Sequence, residues 1–255
     1  MKKIVVANQK GGIGKTTTAI TLASMLSAEG YKTLLIDTDQ QGNSSDTYRA
    51  KIEGEPTLYD VMLDDDRIPI KDAIQHTEIG DIVPSDPLLN KADEIVHSDI
   101  NGLYRLADSL DELEGYDYVI MDTNPSLNSI LFNALVAADE VIIPIKADRY
   151  SLQGLSSIQR AIDDVKKRPN RGLKIAGFLL VMYNSRTVLS KSVIEPLQTV
   201  AKGMGTKLFE TKIRVCQEIG NAQAERQVLT NYAPKCRAAE DYKNFLEELR
   251  KGGDL

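Results

Sequence analysis

Short apolar runs recur along the chain, separated by longer stretches in which apolar positions return every three or four residues. The runs predict strands over 4–7, 32–37, 81–84, 117–122, 139–145 and 173–182, with a short one over 207–210. The periodic stretches between them predict helices over 15–29, around 58–63 and 70–75, then 101–113, 128–136, 151–166, 189–201 and 237–250. Strands that alternate with helices in this way imply an α/β fold: a mostly parallel, doubly wound sheet flanked by helices on both faces. Gly30 fits the stop of the first helix, and the Pro169-Asn170 and Arg171-Gly172 pairs mark a turn. In such a sheet ligands sit beyond the carboxyl ends of the strands.

Composition narrows this picture. With 255 residues, 42% hydrophobic and 27% charged, the chain can bury the core of one domain spanning 1–255. No stretch approaches the roughly 20 apolar residues of a membrane span, and the first apolar run is too short for a secretory leader. A cytoplasmic protein without a membrane partner is expected. Cys216 and Cys236 stand outside any C-x-x-C spacing and read as free thiols. His76 and His97 are too few for a metal centre and read as surface residues.

The first apolar run, Ile4 to Ala7, leads directly into Gln9-Lys10-Gly11-Gly12-Ile13-Gly14-Lys15-Thr16-Thr17, where a helical pattern begins. A strand, a glycine-rich loop and a helix N-terminus together make a phosphate cradle, the P-loop. Lys15 supplies a charge to the β- and γ-phosphates, and Thr16 offers a hydroxyl to Mg²⁺. The common G-x-x-x-x-G-K-[ST] pattern puts glycine where this chain has Gln9, and a second lysine, Lys10, follows. That second ammonium has two readings. It serves a nucleotide held by another copy of the chain, which implies a nucleotide-sandwich homodimer, or it is a solvated loop charge. Two further predicted strands end in acids: Leu34-Leu35-Ile36-Asp37-Thr38-Asp39 and Ile120-Met121-Asp122. Asp37 and Asp39 share one side of an extended chain if the strand persists that far.

The run Lys10 to Thr16 resembles the K-G-G-x-G-K-[ST] mark of the deviant Walker A ATPases, the ParA/MinD group, within the P-loop NTPases. The resemblance extends along most of the chain. Asp37 to Asn43 is similar to D-x-D-P-Q-G-N, Asn133 to Asp139 to N-A-L-x-A-A-D, and Gly177 to Ser190 to G-x-L-L-T-M-Y-D-x-R-T-x-L-S. Thr211-Lys212-Ile213-Arg214 with Ala222-Gln223-Ala224 resembles a plasmid-type segment and favours the ParA-like branch. Gln40, Asn124 and Asn221 depart from the family pattern, and Asn124 falls in a stretch expected to act as a switch.

The resemblance implies a slow, Mg²⁺-dependent ATPase with ATP as its nucleotide. It makes Lys10 the signature lysine that crosses a dimer interface on ATP binding, Asp37 and Asp122 acids around Mg²⁺, and Asp39 the acid that orients the attacking water. Gly11, Gly12, Ile13, Gly14, Lys15, Thr16 and Thr17 would hold the phosphates. Met182, Tyr183 and Asn184 follow a strand on the side expected for adenine. The loop 38–46 and the segment 122–129 are the natural switches. The family also implies non-specific binding to double-stranded DNA by the ATP dimer, association with the nucleoid, a ParB-like centromere-binding partner, and a role in plasmid or chromosome partition.

A net charge of −6 confines any DNA contact to a local basic patch. The candidates are Arg214 first, then Lys212, Arg186, Lys235 and Arg237, with a second cluster of Lys166, Lys167, Arg168, Arg171 and Lys174 that equally well complements a helix end. No helix-turn-helix segment precedes the P-loop, which argues against operator binding. The alternative is a MinD-like membrane- or protein-positioning switch. It would need a free amphipathic C-terminal helix, and although Tyr242, Phe245, Leu246 and Leu249 have helical spacing, the flanking acids favour a helix packed on the core.

Overall fold

The structure is a computed structural model that describes residues 1–255 except 64–66, 100, 149–151 and 153. Its strands are β1 (Lys2–Val6), β2 (Thr33–Asp37), β3 (Gln75–His76), β4 (Asp81–Val83), β5 (Tyr118–Asp122), β6 (Glu140–Lys146), β7 (Lys174–Tyr183) and β8 (Leu208–Arg214). They form one sheet in the order β3-β4-β2-β5-β1-β6-β7-β8. Every pairing is parallel except β3 with β4. The doubly wound, mostly parallel sheet expected from the alternation is therefore what the chain adopts.

Side-chain alternation along β1 divides the core. Ile4 and Val6 face a cluster built with the helix Lys15–Ala28 and the C-terminal helix Arg237–Gly252. Val5 and Ala7 face the opposite cluster, built with the helices Ser129–Ala137 and Leu155–Lys167. Both faces are covered, so the central strands carry unbroken apolar runs, Ile4–Ala7, Leu34–Ile36 and Val119–Met121, rather than alternating ones.

Tyr242, Phe245, Leu246 and Leu249 of the C-terminal helix are buried in this core, and the Tyr242 hydroxyl lies 3.0 Å from Thr18 Oγ1. Each such side chain contributes about 1.5–3 kcal/mol of burial. Its apolar face is thus occupied by the chain's own sheet. Among the described residues no helix is long and apolar enough to cross a membrane.

Several elements differ from the pattern-based expectation. The stretch 101–113 forms a 3-10 turn, Gly102–Tyr104, before a helix over Arg105–Asp111. Buried Arg105 fixes that junction by donating to Met62 O at 2.7 Å and pairing with Asp99 at 2.9 Å. The expected helix 189–201 is two helices, Val188–Ser192 and Ile194–Gly203. The short strand expected at 207–210 runs on to Arg214. Helices at Asn43–Thr47, Leu89–Ser98, Gln217–Ala224 and Leu229–Tyr232 add to the expected set; three are polar or too short to show a periodic face, whereas Leu89–Ser98 carries a short buried stripe of Leu89, Ala92 and Val96. His76 is exposed and its Nδ1 is 2.7 Å from Asp81, whereas the side chain of His97 lies outside the described residues. So does the expected helix start at 151; the helix runs from Leu155.

Gly177, part of the family-like stretch, has a packing reason. A Cβ there would lie 2.6 to 3.0 Å from three carbons of the Phe209 ring, which itself packs edge-on against Phe245 at 4.9 Å. Gly177→Ala is expected to destabilise the fold by about 1–3 kcal/mol, read as a lower urea midpoint with an unchanged slope.

Candidate active site

The loop between β1 and the helix Lys15–Ala28 turns through two glycines in the left-handed region, Gly12 at φ 67° and Gly14 at φ 77°. A Cβ at either would meet nothing within 4 Å, so these positions need glycine for backbone conformation and not for space. Ile13 between them is buried and anchors the loop. Asn8 braces its base, donating to Pro144 O at 2.8 Å and accepting from Lys10 N at 3.2 Å. Gly14 caps the helix without a side-chain bond, so the first helical N–H groups point into the cradle, where an anion would satisfy them.

Lys15 and Thr16 begin that helix and meet the acids of the neighbouring strands. The order β2-β5-β1 sets the three strand ends side by side, and Asp37 and Asp122 are register partners at the ends of β2 and β5. Both carboxylates are fully buried. Burial and mutual repulsion hold the Asp37 carboxyl well above the usual carboxylate range. Burial does the same to Asp122, against the opposing effects of Ser44, Thr16 and Lys15. Ser45 donates to Asp37 Oδ2 from its backbone N and its Oγ, both at 2.8 Å, and Asp39 N donates to Oδ1 at 3.1 Å. Ser44 Oγ donates to Asp122 Oδ2 at 2.8 Å, while Asp122 Oδ1 is buried with no partner. Lys15 is also buried; desolvation lowers its pKa, and Asp122 and then Asp39 oppose that.

These residues fit a divalent cation. Buried Asp122 and Asp39 act on the Lys15 ammonium, Asp37 lies in register beside Asp122, the Thr16 hydroxyl bonds Asp122, and one Asp122 oxygen is left orphaned. Among the described residues, no group of three His, Cys, Asp or Glu is arranged to hold a metal by itself. That suits Mg²⁺ brought by a nucleotide and held largely through water.

The strand does not persist to Asp39, since β2 ends at Asp37. Asp39 instead lines a cleft of about 500 Å³ with Gly11 to Thr17, and its Oδ1 accepts from Gln41 N at 3.1 Å. Of the three residues expected on the adenine side, Met182 lines the cleft, at a left-handed φ of 52°. Tyr183 packs against the core on the other face, and exposed Asn184 accepts from Arg186 N. The opposite wall comes from residues that the sequence did not single out as cleft-lining: Ile219, Gln223, Gln227 and Leu229, with Gln223 Nε2 donating to Thr17 Oγ1 at 3.1 Å. The similarity of Ala222-Gln223-Ala224 to a family segment was the one available signal. A larger cavity of about 750 Å³ lies alongside, lined by Arg49, Lys51, His76 and Arg226, and contains none of the P-loop.

Lys10 stands apart from Lys15. Its Nζ pairs with Asp148 Oδ2 at 2.5 Å, and its side chain is 34% exposed. Arg214 is also engaged: its guanidinium pairs with Asp241 at 2.8 Å and reaches Arg237 O at 3.1 Å. Lys212 Nζ sits 5.8 Å above the Tyr183 ring, whereas Arg186, Lys235 and Arg237 are exposed. Buried Asn124 accepts from Ser126 N at 3.0 Å, so this departure from the family pattern shapes its own loop.

Residues 1–175 match the family described as an AAA domain. A chromosome partitioning protein ParA from Myxococcus xanthus is 37% identical over 97% of this chain and 87% of its own length. The chain belongs to the ParA/Soj family of partition ATPases. The sporulation initiation inhibitor protein Soj of Bacillus subtilis is 35% identical over 99% of each chain. A putative plasmid partition protein of Borrelia burgdorferi, solved with AMPPNP, superposes with a TM-score of 0.80 at 28% identity over 98% of each chain. The ParA/Soj relationship and the P-loop geometry thus agree along the whole sheet, not only at the loop.

The buried acid pair generates a pH dependence. Asp37 binds its proton more tightly folded than unfolded, so between about pH 4 and about pH 8 the folded state carries the extra proton. Stability contributed by this group therefore falls as pH rises through that window. In Mg²⁺- and nucleotide-free protein, Asp37→Asn should flatten the decline in urea midpoint over this range, measured at matched ionic strength.

Proposed function

We propose that this chain is a Mg²⁺-dependent ATPase, one domain over 1–255, that dimerises around two nucleotides and binds DNA without sequence preference in that state. In this reading it sits on the nucleoid, answers to a ParB-like centromere-binding partner, and serves plasmid or chromosome partition. The reading rests on Asp37 and Asp122, paired in register at the strand ends beside one P-loop, with Lys15 and Thr16 acting on Asp122.

Roles follow from position. Gly11 to Thr17 hold the phosphates through backbone N–H groups, and Lys15 neutralises charge on the β/γ oxygens. Thr16, Asp37 and Asp122 hold Mg²⁺, which when bound offsets phosphoryl charge. Asp39, in the cleft wall, orients a water for in-line attack on the γ-phosphate. Lys10 of one protomer completes the other's site and plays the part of a charge supplied in trans. Exposed Met182 lines the cleft at the end of β7, Val188 and Leu189 begin the next helix, and the N–H of exposed Val215 donates to Tyr183 O; these apolar residues suit a face that a second copy covers.

Lys10→Ala should leave ATP binding by the monomer largely intact while weakening ATP-dependent dimerisation at least tenfold, about 1.4 kcal/mol, and slowing turnover with it. Sedimentation with and without ATP, beside nucleotide titration, reads both. Equal loss of nucleotide binding and dimerisation would make Lys10 a phosphate ligand within its own protomer.

For DNA, Arg214 is a poor sole probe because removing it also strips buried Asp241 of its partner. Exposed Lys235 and Arg237 avoid this. Binding of a random-sequence duplex is expected only with ATP, and Lys235→Ala with Arg237→Ala should reduce the slope of log K against log salt by about 2. Binding that ignores nucleotide, or a slope that does not move, would send the DNA contact elsewhere.

A further inference from the structure

Both cysteines cap helices at one place in the fold. Cys216 is the N-cap residue of the helix Gln217–Ala224, and Cys236 that of the C-terminal helix. Cys236 Sγ accepts from Ala239 N at 3.4 Å, and the backbone of Ala238, in the same first turn, is among the groups that act on the Cys216 thiol. Cys236 is among the groups that raise the Cys216 thiol, and both residues pack in the apolar cluster under that helix. The backbones that carry them are already tied together: Arg214 N donates to Asp241 Oδ2, and Arg214 Nη2 to Arg237 O. Twenty residues apart in sequence, the thiols are neighbours in space.

We propose that Cys216 and Cys236 form a reversible dithiol–disulfide site whose oxidant is a hydroperoxide. Their surroundings divide the work. Cys236 is partly exposed, so a small peroxide can reach its sulfur, which accepts from Ala239 N at the start of the C-terminal helix. Cys216 is buried, and its thiol donates to Glu218 Oε2 at 2.8 Å. Burial, and then that hydrogen bond, push the Cys216 thiol up to about 11, so it does not attack first.

In the first step the Cys236 thiolate attacks one peroxide oxygen. An S–O bond forms, the O–O bond breaks, and hydroxide leaves and takes up a proton as water. In the second, Cys216 sulfur attacks the sulfenic sulfur, its proton passes to the Glu218 carboxylate, and hydroxide leaves the Cys236 sulfur and takes up a proton. Two thiols and one hydrogen peroxide thus give one disulfide and two waters, with sulfur oxidised and peroxide reduced. The bond closes a loop around the helices Gln217–Ala224 and Leu229–Tyr232, which form one wall of the nucleotide cleft.

The test treats the full chain with a small excess of hydrogen peroxide and follows free thiols, intact mass and peptide maps, with dimedone as the sulfenic acid trap. Wild type should lose both thiols together, yield a Cys216–Cys236 linked peptide as monomer, and recover on reduction. Cys216→Ser should accumulate dimedone-reactive Cys236, and Cys236→Ser should leave Cys216 at least about tenfold slower to react. Glu218→Gln should raise the trapped sulfenic fraction by slowing the second step. Absence of the linked peptide in wild type, with the cysteines oxidising independently or linking between molecules, would overturn the proposal, and this arm needs no substituted protein.

Discussion

Two buried carboxylates that repel one another, Asp37 and Asp122, sit at the centre of this structure, and most of the site is arranged around tolerating them. Removing a carboxylate from water costs several kcal/mol even after relaxation. Here the cost is met by donors drawn from several parts of the chain: Ser44 and Ser45 from the short helix Asn43–Thr47 after β2, and Thr16 and Lys15 from the helix after β1. The offset is incomplete, as the unpartnered Asp122 Oδ1 records. A divalent cation fits that deficit, so the apo site is built with a favourable interaction left open for its ligand.

The same constraint explains how the loop 38–46 is held. Thr38 donates to Asp122 O through both N and Oγ1, at 2.9 and 2.7 Å. Ser45 supports Asp37 and also accepts from Ser85 N at 2.9 Å, while Ser85 Oγ donates to Asp39 O at 2.6 Å. The loop that carries Asp39 is therefore wired to β4, to β5 and to both acids at once. Two hydrogen bonds thus join Ser45 and Asp39 to Ser85, just beyond β4, which is the kind of connection a nucleotide-sensing loop needs.

What the sequence made legible follows from how local each signal is. The strands buried on both faces appear as continuous apolar runs, the P-loop is one contiguous stretch, and two of the three acids end such runs. These gave the sheet, the phosphate cradle and the acid pair. Elements whose reason lies elsewhere in the chain were hidden. Helix Gln217–Ala224 is polar because one side faces the cleft, and its Gln223 finds its partner, Thr17, 206 positions away. Arg214 reads as a free basic residue until the fold brings Asp241 against it, and Tyr183 and Asn184 read as cleft residues until β7 turns at the left-handed Met182. The nearness of Cys216 and Cys236 is likewise a property of two helix starts meeting, not of their spacing.

The two lysines of the P-loop show how burial sorts like residues into unlike roles. Lys15 is enclosed between backbone and acids, at 6% exposure, and cannot leave without stranding Asp122. Lys10 is held by a partly exposed pair with Asp148, far less enclosed than Lys15. Releasing Lys10 from its own protomer therefore costs less than releasing Lys15 would. A triphosphate offered across a water-excluding interface presents more negative charge than one carboxylate, in a medium where the attraction is less screened. In the dimer proposed above, exchange of Asp148 for the partner's nucleotide is favourable only once that nucleotide is in place, which makes assembly depend on the γ-phosphate without any further device.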